Sequence, residues 1–243
     1  MTRASGWDGR AAPEMRELLE RFPPQVFQRG EILVHNTRHL DAPPASGSLA
    51  YVVEGLVRGA WNAPFIAPAN RATTIIAGDG RWVGADAFKY GENLFRYDAL
   101  TLTTASVVPL PYLCDEAPRA VLVDALRCVS LDWCTSASVL SFESDTLERR
   151  TMLLLYNLFR LHPRPEIEVR QQDVAELLGV ARQTLQPVLK RLTTAGFVHV
   201  GYGEIVVGDA EALLAELRAP SGRLPAPRTP NAKRPARGPS PRR

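Results

Sequence analysis

The chain has 243 residues, 45% of them hydrophobic and 23% charged, with a net charge of +3. That is long enough for two domains with separate cores, and its balance is that of a soluble globular protein rather than a fibrous or disordered one. No apolar run approaches bilayer length, and MTRASGWDGR lacks the apolar stretch of a secretory signal, which predicts a cytoplasmic protein with no membrane partner.

Residues 1–21 read as an N-terminal extension. From Phe22 to residue 117 the chain is a series of short β-rich runs punctuated by Gly, Pro and Asn: VFQRGEILVHN, LAYVVEGLVRGAW, RATTIIAGDGRWVGADAF and YDALTLTTASVVPLPY. Regular strand spacing with turn signals predicts a sandwich or barrel-like β-roll. Residues 118–162 have no Gly, and no Pro after Pro118, and predict one long helix. Leu122, Leu126, Val129, Trp133, Ser136, Leu140, Glu143 and Leu147 recur at alternating steps of four and three. That is the seam of a paired helix, and its apolar members predict a homodimer. Cys114, Cys128 and Cys134 make no C-x-x-C pair, so reduced, mostly buried thiols are expected.

The most informative stretch is QQDVAELLGVARQTLQPVLK, Gln171 to Lys190. Two short helices crossing at a tight turn need a small residue at the contact, a permissive residue at the turn and a shared apolar face. Ala175 and Gly179 meet the first two needs, and Val174, Leu178, Val180, Leu185 and Val188 the third. This leaves Gln171, Gln172, Arg182, Gln183, Thr184, Gln186, Lys190 and Arg191 for base edges and phosphates of double-stranded DNA. Two β-rich runs, Phe197 to Val200 and Glu204 to Val207, predict a hairpin wing, and DAEALLAELR a closing helix capped by Asp209. Residues 163–218 thus read as a winged helix-turn-helix. Residues 219–243 hold seven basic residues, seven prolines and no acid, a tail expected to stay disordered; its two readings are a source of non-specific attraction to phosphate and a solubilising or tolerated extension.

This order of parts resembles the Crp/Fnr family of transcriptional regulators. The resemblance is carried by YVVEGLVRGAW, by the long helix and by VRQQDVAELLGVARQTLQPVLKRLTTAGFVHVGYGEIVV. It implies an α+β protein: an N-terminal double-stranded β-roll like those that bind cyclic nucleotides, a long dimerisation helix and a C-terminal winged helix-turn-helix. It also implies a homodimer on two related half-sites, with RNA polymerase as a further candidate partner.

Departures from the family pattern matter as much. Cyclic-nucleotide binders of the family carry a Gly-Glu pair and, later, an Arg followed by a small hydroxyl residue. Here the corresponding positions are Gly84-Ala85 and Arg96-Tyr97. The sugar-binding carboxylate is missing, so an altered or absent effector site is expected, with cyclic AMP disfavoured and no cofactor assigned. Three cysteines are too few for a four-thiolate cluster, and the spacing of four between His35 and His39 would turn two ligands the same way on a helix whereas EILVHN reads as a strand and its end, so no metal is assigned. In the recognition helix Ala181 offers no side-chain cap, and Pro187 removes a backbone donor. Gln183 stands where the family often has Glu, which favours adenine over cytosine. The alternatives are a cyclic-nucleotide-responsive regulator, or a protein-interaction module without DNA function on the same fold. An enzyme of the cupin type is disfavoured for want of a His and carboxylate cluster.

Overall fold

The computed structural model describes residues 13–35, 47–61, 73–128, 146–164, 166–167, 169–201 and 204–218. Part of the expected N-terminal extension is helical: α1, Pro13–Arg21, opens with proline at its first position and buries Met15, Leu18 and Leu19 on one face. Arg21 lies 4.5 Å from the Tyr112 ring and pairs with Glu116 at 2.7 Å, tying α1 to the roll.

Eight strands follow: β1 Gln25–Phe27, β2 Ile32–Val34, β3 Ser48–Glu54, β4 Val57–Trp61, β5 Thr73–Ala77, β6 Arg81–Val83, β7 Phe95–Ala99 and β8 Thr103–Pro109, with a one-turn helix α2, Ala87–Tyr90, between β6 and β7. They form two four-stranded antiparallel sheets, β1-β8-β3-β6 and β2-β7-β4-β5. This is the expected roll. Strand β3 shows why its sequence, SLAYVVE, hardly alternates. Ala50 and Val52 face the second sheet, while Leu49 and Tyr51 pack on the opposite side against α1, Trp82 and the helices that follow β8. Both faces of the first sheet are buried, so both sets of alternate positions are apolar.

Helix α3, Leu110–Asp115, and the helical run 119–128, α4, cover the outer face of the first sheet, burying Tyr112, Leu113, Val121, Ala125 and Cys128. Among the described cysteines Cys128 is buried as expected, whereas Cys114 is exposed; Cys134 lies outside the described residues.

The helix expected over 118–162 is interrupted. Thr146 is extended (φ −63°, ψ 148°) and its hydroxyl accepts the Arg149 amide, so a new helix, α5, Leu147–Leu161, starts behind it. The spacing of apolar residues runs across this cap without registering it. Helix α5 shares its core with β9 Glu166–Ile167, α6 Gln171–Leu178, α7 Arg182–Thr194, β10 Val198–Val200, β11 Ile205–Val207 and α8 Ala210–Arg218. Helix α5 thus packs with the elements of the C-terminal domain expected from residue 163 onward. Leu147, expected on a dimer seam, is partly buried and packs against that core.

The second sheet turns its outer face to this domain, and Leu56, Ile76 and Leu100 join its apolar core. The turn between β5 and β6 meets the end of α5. The Asp79 amide donates to the Leu161 carbonyl at 2.9 Å, and a Cβ on Gly78 would lie 2.2 Å from that oxygen. Only glycine allows so close an approach. Asp79 Oδ1 also meets His162 Nδ1 at 2.8 Å and accepts the Gly55 amide at 2.7 Å.

Candidate nucleic-acid interface

Helix α6 ends on Gly179 in the left-handed region (φ 67°), which reverses the chain so that α7 can cross it. Ala175, fully buried at the crossing, lets the helices approach, and Val174, Leu178, Leu185, Val188, Leu189 and Leu192 form the shared core. Val180 is partly buried against the same core. The Arg170 amide donates to Asp173 at 3.2 Å, closing the start of α6.

Helix α7 begins behind Ala181, which is extended (φ −68°, ψ 143°) and offers no side-chain cap. The helix runs unbroken through Pro187 to Thr194. Pro187 lies on the exposed side, so the donor it lacks leaves the Gln183 carbonyl to solvent rather than breaking a buried bond. Arg182, Gln183, Thr184, Gln186 and Lys190 are all exposed. They lie on the first two and a half turns of one helix, facing away from the core that holds Leu185 and Val188. Helix N-terminal turns are where backbone amides and positive charge face outward together.

Three expected contacts are less free. Gln172 is exposed, but its amide nitrogen donates to Glu176 at 3.0 Å. Arg191 turns its Nε to Glu148 of α5 at 3.2 Å, which holds it against its own domain. Gln171 is half-buried at the start of α6.

The wing is β10 and β11, paired Val198 to Val207 and Val200 to Ile205, with the Gly201 amide donating to the Glu204 carbonyl at 3.0 Å. A third strand, β9, joins β11; it is only two residues long, too short to show in the sequence pattern. Asp209 caps α8, accepting the Ala212 amide at 2.9 Å.

The four effector positions have distinct surroundings among the described residues. Gly84 (φ 96°) is glycine because a Cβ there would lie 2.5 Å from the Ser48 carbonyl oxygen, and Ala85 packs towards the α1 side of the roll. Arg96 and Asp98, two apart on β7, share its outer face and pair at 3.2 Å. Tyr97, between them, points into the core between the sheets and packs on Gly59, where a Cβ would lie 2.7 Å from its ring.

Sequence reasoning missed Asp86. Its Oδ2 accepts the Leu94 and Phe95 amides at 2.5 and 3.2 Å, and its Oδ1 accepts the Tyr97 hydroxyl at 3.0 Å. Burial pushes the Asp86 carboxyl above the ordinary aspartate range, opposed by those three bonds. The donors at the start of β7 are thus already taken by a carboxylate of the chain itself. The neighbouring acid at 86 was visible in the sequence, but its target was not.

On α4, Val121, Ala125 and Cys128 face the roll, while Leu126 is 47% and Val123 54% exposed and Leu122 is half-buried. Val129, Trp133 and Leu140 lie outside the described residues, as do His39 and residues 219–243. Among the described residues no group of three or more His, Cys, Asp or Glu is placed to hold a metal ion, and no helix is long and apolar enough to cross a membrane.

Residues 149–216 match the Crp-like helix-turn-helix domain. The chain is 33% identical over 124 residues to a cyclic AMP receptor protein of Thermus thermophilus, a match covering 51% of this chain and 52% of that protein; it thus spans about half the length of this curated relative. In three dimensions it is similar to a Crp/Fnr-family transcriptional regulator, also from Thermus thermophilus, with a TM-score of 0.63 at 19% identity, over 81% of this chain and 98% of that one. It is also similar to the c-di-GMP-responsive global regulator CLP of Xanthomonas campestris, with a TM-score of 0.59 at 15% identity, over 82% of this chain and 100% of the other.

Proposed function

We propose that the chain is a transcriptional regulator of the Crp/Fnr type, as its match to the Crp-like helix-turn-helix domain and its similarity to such regulators support, and that it acts by binding a two-fold-related DNA operator as a homodimer. The observation that carries this reading is the first half of α7, where Arg182, Gln183, Thr184 and Gln186 stand exposed on a helix whose other face is fully buried. Arg182 and Gln183 at its N-terminal end enter the major groove and read base edges, Gln183 through its paired donor and acceptor. Lys190, further along, meets phosphate. The exposed Val123 and Leu126 on α4 support pairing with a second copy through that helix.

We further propose that cyclic nucleotides do not control this chain. Asp86 occupies the amides at the start of β7, Tyr97 fills the inside of the roll, and Arg96 is paired with Asp98 on the outside. A ligand phosphate would have to displace a carboxylate already bonded there.

Selection of bound sites from random duplex DNA, with and without cyclic nucleotides, tests both parts. A palindromic site unaffected by nucleotide is expected. Arg182→Ala and Gln183→Ala are each expected to lose about 1 to 3 kcal/mol on the selected site and far less on random duplex. Equal losses on both would mean that α7 does not read bases.

A further inference from the structure

The face that the second sheet turns to the C-terminal domain is apolar at Leu56, Ile76 and Leu100 and charged beside them. Asp98, 1% exposed, accepts from Arg58 Nε at 2.8 Å and from Arg96 at 3.2 Å. Arg58, only 18% exposed, donates from Nη1 to Glu176 of α6 at 2.7 Å. The second Glu176 oxygen accepts from Gln172, one turn back on α6. A buried carboxylate thus anchors an arginine on the roll, and that arginine grips the first helix of the helix-turn-helix. Burial works against the Arg58 charge, but Asp98 and Glu176 outweigh it and raise its affinity for the proton.

An exposed ion pair alone is worth little. This one differs because the arginine loses little freedom on pairing, its fork being already fixed by Asp98. It also acts beside two further contacts of the same docking surface, Asp79 with Leu161 and His162, and Arg164 with Glu54. Docking does not cover the reading face, since Arg182, Gln183, Thr184, Gln186 and Lys190 stay exposed.

We propose that Arg58 is a positioning residue for DNA recognition: through Glu176 it pins the helix-turn-helix to its own roll, so that in a dimer the two reading helices are held at one separation. The proposal rests on the DNA-binding reading above. Half-sites lie a helical turn apart, about 34 Å, and joining two modules raises affinity only while geometry lets both engage. A loosened domain binds one half-site as before and gains less from the second.

The test compares the full chain with Glu176→Ala, Arg58→Ala and the double variant, on duplexes carrying one half-site, two at the selected spacing, and two at altered spacings. Simple electrostatics says that removing a carboxylate beside Gln172 tightens binding to every duplex. The strut says the opposite for the paired site: Glu176→Ala binds it about tenfold more weakly, holds its half-site affinity and tolerates altered spacings better. Arg58→Ala matches it, and the double variant loses no more, because both remove one interaction. Hydrogen exchange at the Asp79 amide, which bonds Leu161 across the contact, is expected to quicken in Glu176→Ala.

Unchanged or tighter binding of the paired site, or unchanged exchange at Asp79, overturns the strut. Should Arg58→Ala fail to fold, because Asp98 keeps only Arg96, the surface variant Glu176→Ala still decides. An unmodified chain that binds no duplex sinks the DNA reading and the spacing role with it; faster Asp79 exchange in Glu176→Ala would then distinguish that failure from failure of the docking contact.

Discussion

Asp86 shows how one side chain settles a local structure while lowering the comfort of its own charge. It satisfies two amides and a hydroxyl at the start of β7, yet burial holds its carboxyl above the ordinary aspartate range. Asp86→Ala leaves those donors without an acceptor and is expected to cost about 1 to 3 kcal/mol. Asp86→Asn keeps an acceptor oxygen and removes the buried charge. Because the folded-state value is raised, the wild-type carboxyl contributes most at acid pH, and that contribution is lost as pH rises through the folded value. Urea midpoints measured across pH are therefore expected to show wild type losing ground to Asp86→Asn on going from acid to neutral. A constant difference would mean that the carboxyl is not shifted. The same scale marks the limit of motif reading: Ala85 and Tyr97 were recognisable as departures, but only the fold places Arg96 outside the roll and Tyr97 inside it.

Elements carry the next level of argument. Helix α7 starts on Ala181, whose extended backbone suits a cap but whose side chain cannot accept a hydrogen bond. Ala181→Ser supplies that acceptor on an exposed site, and thermal denaturation is expected to report a gain of about 1 kcal/mol. On α4 the two faces predict opposite outcomes. Ala125 is buried against the roll, so Ala125→Glu is expected to unfold it, whereas Leu126 is half exposed and Leu126→Glu is expected to leave the roll intact. Sedimentation of Leu126→Glu is expected to show a monomer if the proposed homodimer pairs through this face of α4, because the charge then falls in its apolar seam. A persistent dimer would place the seam elsewhere.

For the whole molecule, the charge is uneven: the tail from 219 to 243 is strongly basic, and the rest of the chain is net acidic. Deleting the tail is expected to lower affinity for all duplexes alike and to flatten the salt dependence, because fewer counterions are released. Sequence preference, which the proposal assigns to α7, is expected to stay. A loss confined to the selected operator would assign the tail a base-reading role instead. The contacts of Arg58, Asp79 and Glu54 with the C-terminal domain are the other whole-molecule feature, and they make the placement of α6 and α7 a property of the roll as well as of their own domain.

The two helices of the helix-turn-helix were legible in the sequence because their signals are local. A small residue at 175, a glycine at 179 and apolar steps of three and four need only close neighbours in the chain to be interpreted. The roll was legible as a class for the same reason, through strand length and turn residues. Three features depended on contacts distant in sequence. Thr146 starts a new helix at a point where apolar spacing continues unbroken, because α4 and α5 each need an apolar face, one for the roll and one for the C-terminal core. Asp86 could be seen as an acid but not as the acceptor of β7 amides. Arg58, 118 positions from Glu176, was one charged residue on a β-rich run until the fold brought α6 beside it. Local spacing determines which elements form and which face each buries; which charged side chains meet across two domains is decided only by how those faces are stacked.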